Sequence, residues 1–403
     1  MSPENNPTIV DPPVHKRKSI SRRNFIHGSL SFIGLAGISG VISTTFKIEN
    51  TTVLLPPGYK IRIVARSGDF CLANSDHRWH WAPDGGASFA TDDDGWIYVS
   101  NSEMDNGGAS ALRFDRTARL IASYPILSHS RRNCSGGATP WKTWLSCEEV
   151  SDGFVWQCDP KGLKPAVKCP QLGRFWHEAI AVDPSTNQLY LTEDQEDGCL
   201  YRFTPHILNE SGTVDLNRGI LEVAIDDPVI QGLNWLPIED PSGSLQALRY
   251  QVPNARHFNG GEGVWYFDHQ VYFATKGDDC VRSYSIATRR LEIIYSANDY
   301  IFPRLTGVDA ITIAPNGYVL VAEDQGDMEI IAITPNKNVI PLVKLSGHDG
   351  SEITGLAFNP EGNKLYFSSQ RGETGQASGG ITFEVSGDFD SPVWSSYEIE
   401  QAI

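Results

Sequence analysis

The sequence predicts an all-β fold, a six-bladed β-propeller, and three observations carry that prediction. A strand, tight turn, strand pattern recurs along most of the chain, each time followed by a third strand. The first strands of these units begin near residues 88, 134, 178, 262, 309 and 352, a spacing of roughly 45 residues apart from one doubled interval, which is the period of propeller blades. The composition agrees: 37 Gly, 17 Phe, 14 Tyr and 10 Trp against 3 Met favour short strands and tight turns. Large all-β architectures run long as one unit, so 403 residues read as one large domain behind a leader.

Taken in order, a short alternating strand at Ile61 to Ala65 precedes the repeats. The first unit runs from Ser88 through the Asp94-Gly95 turn to Glu103, with Ala111 to Asp115 as its third strand. The second is the segment Asn133-Cys134-Ser135-Gly136-Gly137-Ala138-Thr139-Pro140-Trp141-Lys142-Thr143-Trp144-Leu145-Ser146-Cys147-Glu148-Glu149, with Gly136-Gly137 and Thr139-Pro140 as turn signals and Gly153 to Trp156 as third strand. His177 to Asp194 forms the third, with Cys199 to Phe203 following. Glu262 to Lys276, Asp309 to Glu323 and Glu352 to Ser369 give the last three. The doubled interval holds a segment around residues 204–260, rich in Pro and Asn, which reads as an insertion.

The N-terminus is read apart from the fold. Ser21-Arg22-Arg23-Asn24-Phe25-Ile26, followed at once by an apolar run from Gly28 to Phe46, is the pattern of a twin-arginine export signal. Residues 1–46 are therefore expected to be a signal segment and 47–403 the propeller, carried folded to the periplasm or cell envelope by the twin-arginine machinery, with membrane contact only if the signal stays uncleaved. Without those 46 residues, which carry five basic and two acidic side chains, the formal charge falls from −16 to −19. So acidic a domain repels nucleic acid and needs bound cations before it can attract an anionic substrate. Seven cysteines leave at least one thiol unpaired, and an oxidising compartment allows the other six up to three bridges.

In each unit a polar or acidic residue opens the first strand and another closes the second. Antiparallel pairing puts those two positions at the same end of the hairpin, so a ring of such hairpins gathers them at one mouth of the channel. Glu103, Cys134, Glu148, Glu149, Glu178, Glu193, Asp194, Glu262, Asp309, Glu323 and Asp324 form the resulting candidate metal shell, because so many carboxylates cannot all ionise side by side without cations. His177 is a ligand, a base or a structural residue on this reading. Asp92-Asp93-Asp94 lacks the spaced ligands of a calcium loop and reads as a turn.

The segment Asn133 to Glu149 resembles the signature of the PhoX-type alkaline phosphatases. The likeness extends to Gly173-Arg174-Phe175-Trp176-His177-Glu178, Leu191-Thr192-Glu193-Asp194, Gly261-Glu262-Gly263 and Ala322-Glu323-Asp324-Gln325. The resemblance implies a six-bladed propeller that hydrolyses phosphate monoesters, with Cys134 bridging two ferric ions and carboxylates at the motif positions holding iron and calcium. Cys134, Glu262 and Arg371 are the expected catalytic residues, with Fe(III) and Ca(II) as cofactors and a small phosphate ester as substrate. The family carries Arg-Pro-Glu where this chain has Gly260-Gly261-Glu262, so the charge that holds phosphate has to come from elsewhere; Arg256, Lys276 and Arg371 are the candidates. The alternatives are a calcium-dependent lactonase-like propeller hydrolase with a single central cation, and a non-catalytic envelope-binding propeller.

Overall fold

The computed structural model describes residues 43–48, 51–207, 214–324 and 326–390. The expected signal segment falls outside these residues up to position 42. Thr44–Ile48 is a strand, with Phe46 buried, that pairs with Thr51–Leu55 and through it joins the fifth blade, so residues 44–46 pack with the propeller. No described helix is long and apolar enough to cross a membrane.

Six antiparallel sheets form the blades. Their innermost strands are Pro83–Ala90, Asn133–Ala138, His177–Val182, Gly261–Phe267, Val308–Ile313 and Ile353–Phe358. Each inner strand contacts the next around a closed ring, the sixth returning to the first. The ring is locked by the N-terminal strand Lys60–Arg66, which pairs with Ile381–Ser386 as the outer strand of the sixth blade. Arg62 clamps Glu384 across that seam with bonds of 2.6 and 3.0 Å. A chain closed on itself in this way leaves no inner edge for another sheet to extend.

Part of the segment expected as an insertion is blade. Gly198–Ile207 is the third strand of the third blade, Val214–Asp227 its fourth and Gly232–Pro237 a fifth. A four-residue helix, Leu248–Gln251, then leads back to the ring.

The core lies between blades, where flat sheet faces meet. Between the first and sixth, Trp79, Trp96, Tyr98, Phe114 and Tyr366 are buried together. Tyr98 and Tyr366 stack at 4.9 Å, Tyr98 Oη donates to the Gly355 carbonyl and Trp96 Nε1 donates to Tyr366 Oη. With the polar tips satisfied, burying each ring stabilises the fold by about 1.5–3 kcal/mol.

Gly136 and Gly137, read above as a turn, belong to the inner strand of the second blade. A Cβ at Gly136 would stand 1.9 Å from the Leu145 carbonyl oxygen, and one at Gly137 would stand 2.1 Å from that of Ile180. These glycines allow strands to approach closely; the turn itself is Thr139 to Thr143. All seven cysteines are free, so the bridges that an oxidising compartment would allow are not formed.

Candidate metal centre at the channel mouth

Every inner strand carries one extra residue near its start. Pro83 pairs with Ser102 and Gly86 with Ser100; Asn133 pairs with Glu148 and Gly136 with Ser146. The same three-against-two count follows His177, Gly261 and Val308, and comes one residue later in the sixth blade, after Thr354. Such a bulge breaks the ladder locally and re-aims the side chain beside it. The second residue of each inner strand is therefore Asp84, Cys134, Glu178, Glu262, Asp309 or Thr354. The matching position just after each second strand is Glu103, Glu149, Asp194, Lys276, Asp324 or Gln370.

These two rows meet. Ligand atoms of Cys134, Glu149 and Glu178 lie within 4.8 Å of one another, as do those of Asp84, Glu103 and Glu352, of Glu178, Glu262 and Asp309, and of Asp309, Asp324 and Glu352. The four groups share members and form one continuous patch. Asp84, Glu352 and Gln370 were not anticipated from sequence; Gln370 Nε2 donates to both Asp84 and Glu103, bridging the first blade to the sixth.

Glu148, Glu193 and Glu323, expected in the same shell, face the other way. Successive residues of a strand point to opposite faces, so when Glu149, Asp194 and Asp324 reach the mouth their predecessors turn inward. Glu148 accepts from the amides of Arg131 and Phe154, both at 3.1 Å. Glu193 accepts from the Cys199 amide, the Tyr201 hydroxyl and Arg249 Nη1. Glu323 accepts from the amides of Thr306 and Glu329. These carboxylates brace loops. His177 is likewise structural: it is fully buried, bonded through Nε2 to the Gly173 carbonyl oxygen and packed on Phe175, and burial lowers its pKa to about 3.

Burial and mutual repulsion dominate the electrostatics. Burial, then Glu103 and Asp194, pushes Glu149 up to about 8, and burial raises Asp309 to about 6 against the pull of Lys276. Asp84, Glu178, Glu262 and Glu352 are driven well above the usual carboxylate range, first by burial and then by neighbouring carboxylates. The Cys134 thiol is pushed up by the same causes. Positive charge comes from three side chains. Arg132 pairs with Glu103, Arg371 Nη2 lies 2.7 Å from Glu352 Oε1, and Lys276 Nζ lies 2.7 Å from Glu262 and 3.3 Å from Asp324. Arg256 is not among them, since it pairs with Asp226 and lies over Phe258. Asp324 Oδ1 is buried without a hydrogen-bond partner. An orphaned carboxylate oxygen, a thiol set among acids and a surplus of carboxylates over these three cations together fit bound metal ions.

A cavity of about 910 Å³ lies elsewhere, against the outer strand of the first blade, lined by Leu72 to His77 and Arg119 to Pro125. It contains none of these groups.

Fold and mouth together define a six-bladed propeller with a cluster of acidic groups at one end that could hold metal ions. Residues 122–165 and 152–298 match the family model of alkaline phosphatase PhoX. Pseudomonas fluorescens PhoX, solved in complex with vanadate, a transition state analogue, has the same fold: TM-score 0.70, 15% identity, 89% of this chain and 98% of that one covered. A Bacteroides thetaiotaomicron protein of unknown function gives a TM-score of 0.50 at 9% identity, covering 89% and 87%. No curated protein sequence matches. The stretch 122–298 is thus similar to the PhoX family, and the fold is the one PhoX has.

Proposed function

We propose that this protein hydrolyses phosphate monoesters at the channel mouth with bound iron and calcium. The observation that supports the reading most directly is the group Cys134, Glu149 and Glu178, a thiol and two carboxylates within 4.8 Å on adjacent blades, in a chain similar to the PhoX family over residues 122–298. A soft thiolate suits iron, and the all-carboxylate groups around Asp84, Glu262 and Asp309 suit calcium. When bound, these ions supply Lewis-acid charge to the ester oxygens and to the attacking water.

The chain's own residues supply position and compensation. Cys134 and Glu178 start neighbouring inner strands, and each bulge holds their side chains toward the channel axis. Asn101 fixes the first of these: its Nδ2 donates to the carbonyls of Cys134 and Ser135, while its Oδ1 accepts from Trp144 and Ser146. Arg371 and Arg132 stand at the rim, 34% and 44% exposed, where guanidinium donors meet the oxygens of an arriving phosphate. Glu262 contributes a carboxylate to the group with Glu178 and Asp309.

The twin-arginine pattern at Ser21 to Ile26 and the excess of negative charge support delivery, folded, to the periplasm or envelope. Protein refolded or reconstituted with ferric and calcium ions should release phosphate from a generic aryl phosphate between neutral and alkaline pH. No turnover in metal-loaded protein would overturn the assignment.

A further inference from the structure

The row of residues after the second strands reads Glu103, Glu149, Asp194, Lys276, Asp324 and Gln370 around the ring, four acids, an amide and one cation. The pairings Ser102 with Pro83, Glu148 with Asn133, Glu193 with His177, Thr275 with Gly261, Glu323 with Val308 and Ser369 with Ile353 put all six in one structural position. The fourth blade therefore presents an ammonium where four of the other five blades, both its neighbours included, present a carboxylate. Its Nζ lies 2.7 Å from Glu262 Oε1 and 3.3 Å from Asp324 Oδ2, bridging the fourth and fifth blades. Both are ion-pair distances, and Asp309 has ligand atoms close to those of each of the two acids.

We infer that Lys276 is a resident cation, occupying permanently the position between Glu262 and Asp324 that a divalent ion would otherwise take. This inference rests on the metal-binding mouth proposed above and adds a specific stoichiometry to it. The side chain is two-thirds covered, with 36% exposure, and leaves from Thr275, whose own side chain is tied to Asp278. The backbone beneath it is fixed too: the Lys276 amide donates to the Gly260 carbonyl at 2.8 Å, and Gly260 holds a left-handed φ of 66°. A Cβ at residue 260 would stand 3.7 Å from Lys276 Cβ and 3.4 Å from Asp194 Oδ1. Those are ordinary contacts, so it is the left-handed φ that favours glycine at residue 260. A tethered ammonium cannot dissociate, whereas an ion in the same place would exchange with solvent, so this part of the mouth keeps its charge whatever the supply of calcium.

The test is calcium stoichiometry on the full-length, folded protein, by calorimetric titration and by elemental analysis after gel filtration. Lys276→Met removes the charge with little change of shape, and Lys276→Glu restores the carboxylate of the neighbouring blades. Each should bind one calcium more per chain than the natural protein, while Lys276→Arg should keep the natural count. Far-ultraviolet circular dichroism and the melting temperature establish that each variant is folded before it is compared. Equal counts in the natural protein, Lys276→Met and Lys276→Glu would overturn the inference alone. Absence of metal from all of them would overturn it together with the metal-dependent reading of the mouth.

Discussion

Glu149, Asp194 and Asp324 face the channel; Glu148, Glu193 and Glu323, each one residue earlier, face away from it. The chemistry of the two rows is the same, and both are largely buried. What separates them is the alternation of a β-strand, which gives one acid backbone amides to accept from and leaves the next among other acids. A buried carboxylate that receives two or three N–H or O–H donors is a structural brace. A buried carboxylate oxygen that receives none, as at Asp324 Oδ1, whose partner oxygen has only the Lys276 ammonium, calls for a cation. Partners, rather than burial, therefore tell a brace from a ligand.

The largest effect should come from the facing side. Cys134→Ser replaces the soft ligand at the centre of the Cys134, Glu149, Glu178 group, and we expect iron to be lost and hydrolysis to fall by at least about 100-fold, with the melting temperature of the metal-free protein little changed. Iron content and phosphate release measure the first two. Retention of iron at the natural level would show that the thiol is not a ligand.

The next effect lies on the bracing side. Glu193 is fully buried against Arg249, the Tyr201 hydroxyl and the Cys199 amide, so Glu193→Ala leaves two buried donors without their acceptor and Arg249 with Asp197 as its remaining acidic partner. Breaking such a pair costs about 3–5 kcal/mol, read as a lower denaturant midpoint. The metal count of whatever remains folded should be natural. Loss of metal with stability intact would reverse the roles assigned to Glu193 and Asp194.

The repeat period, the number of blades and the convergent end of the hairpins were legible in the sequence because all are local: a turn, its two flanking strands and a regular spacing. Which of two adjacent acids faces the channel was not, because that depends on register, and the bulge after the start of each inner strand shifts the register by one residue. Asp84 was missed for the same reason. It precedes the point, near Ser88, where simple alternation begins, although Asp84-Gly85-Gly86-Ala87 set beside Cys134-Ser135-Gly136-Gly137 carries a signal for it. Glu352 and Gln370 take their places from ring closure, and so does Lys60–Arg66, whose partner strand lies more than 300 residues away.

An intermediate effect separates the rows by pH. In metal-free protein the facing acids Asp309 and Glu149 titrate near 6 and 8, well above their ordinary values of 3.8 and 4.5. A carboxyl whose folded pKa is raised keeps its proton in the native state after the unfolded chain has lost its own, so native protein binds more protons and stability falls as pH rises. The melting temperature of metal-free protein should thus decline from about pH 4 to about pH 8 and level off above. Saturating calcium should flatten that slope by binding the ionised form. A melting temperature that climbs over this interval without metal would mean that the facing acids are stabilised by donors, as the braces are.

The smallest effect, and the sharpest comparison, is between neighbours in one strand end. Glu148 gives one oxygen to the Arg131 amide and the other to the Phe154 amide; Glu148→Gln keeps one acceptor and turns an NH₂ group toward the second amide. An unsatisfied buried donor costs about 1–3 kcal/mol, so the melting temperature should fall while iron and calcium stay bound. Glu149→Gln, one residue on, removes a carboxyl that above about pH 8 adds negative charge beside Cys134, Glu103 and Asp194. Without metal it should leave stability unchanged or raise it, because one source of repulsion among buried acids is gone. With metal it should weaken binding about tenfold or more, since even groups that only orient a ligand contribute that much. Two conservative changes at consecutive positions should thus move two different observables, stability for the first and metal affinity for the second. If both moved the same one, strand alternation would not be what divides the acids of this mouth.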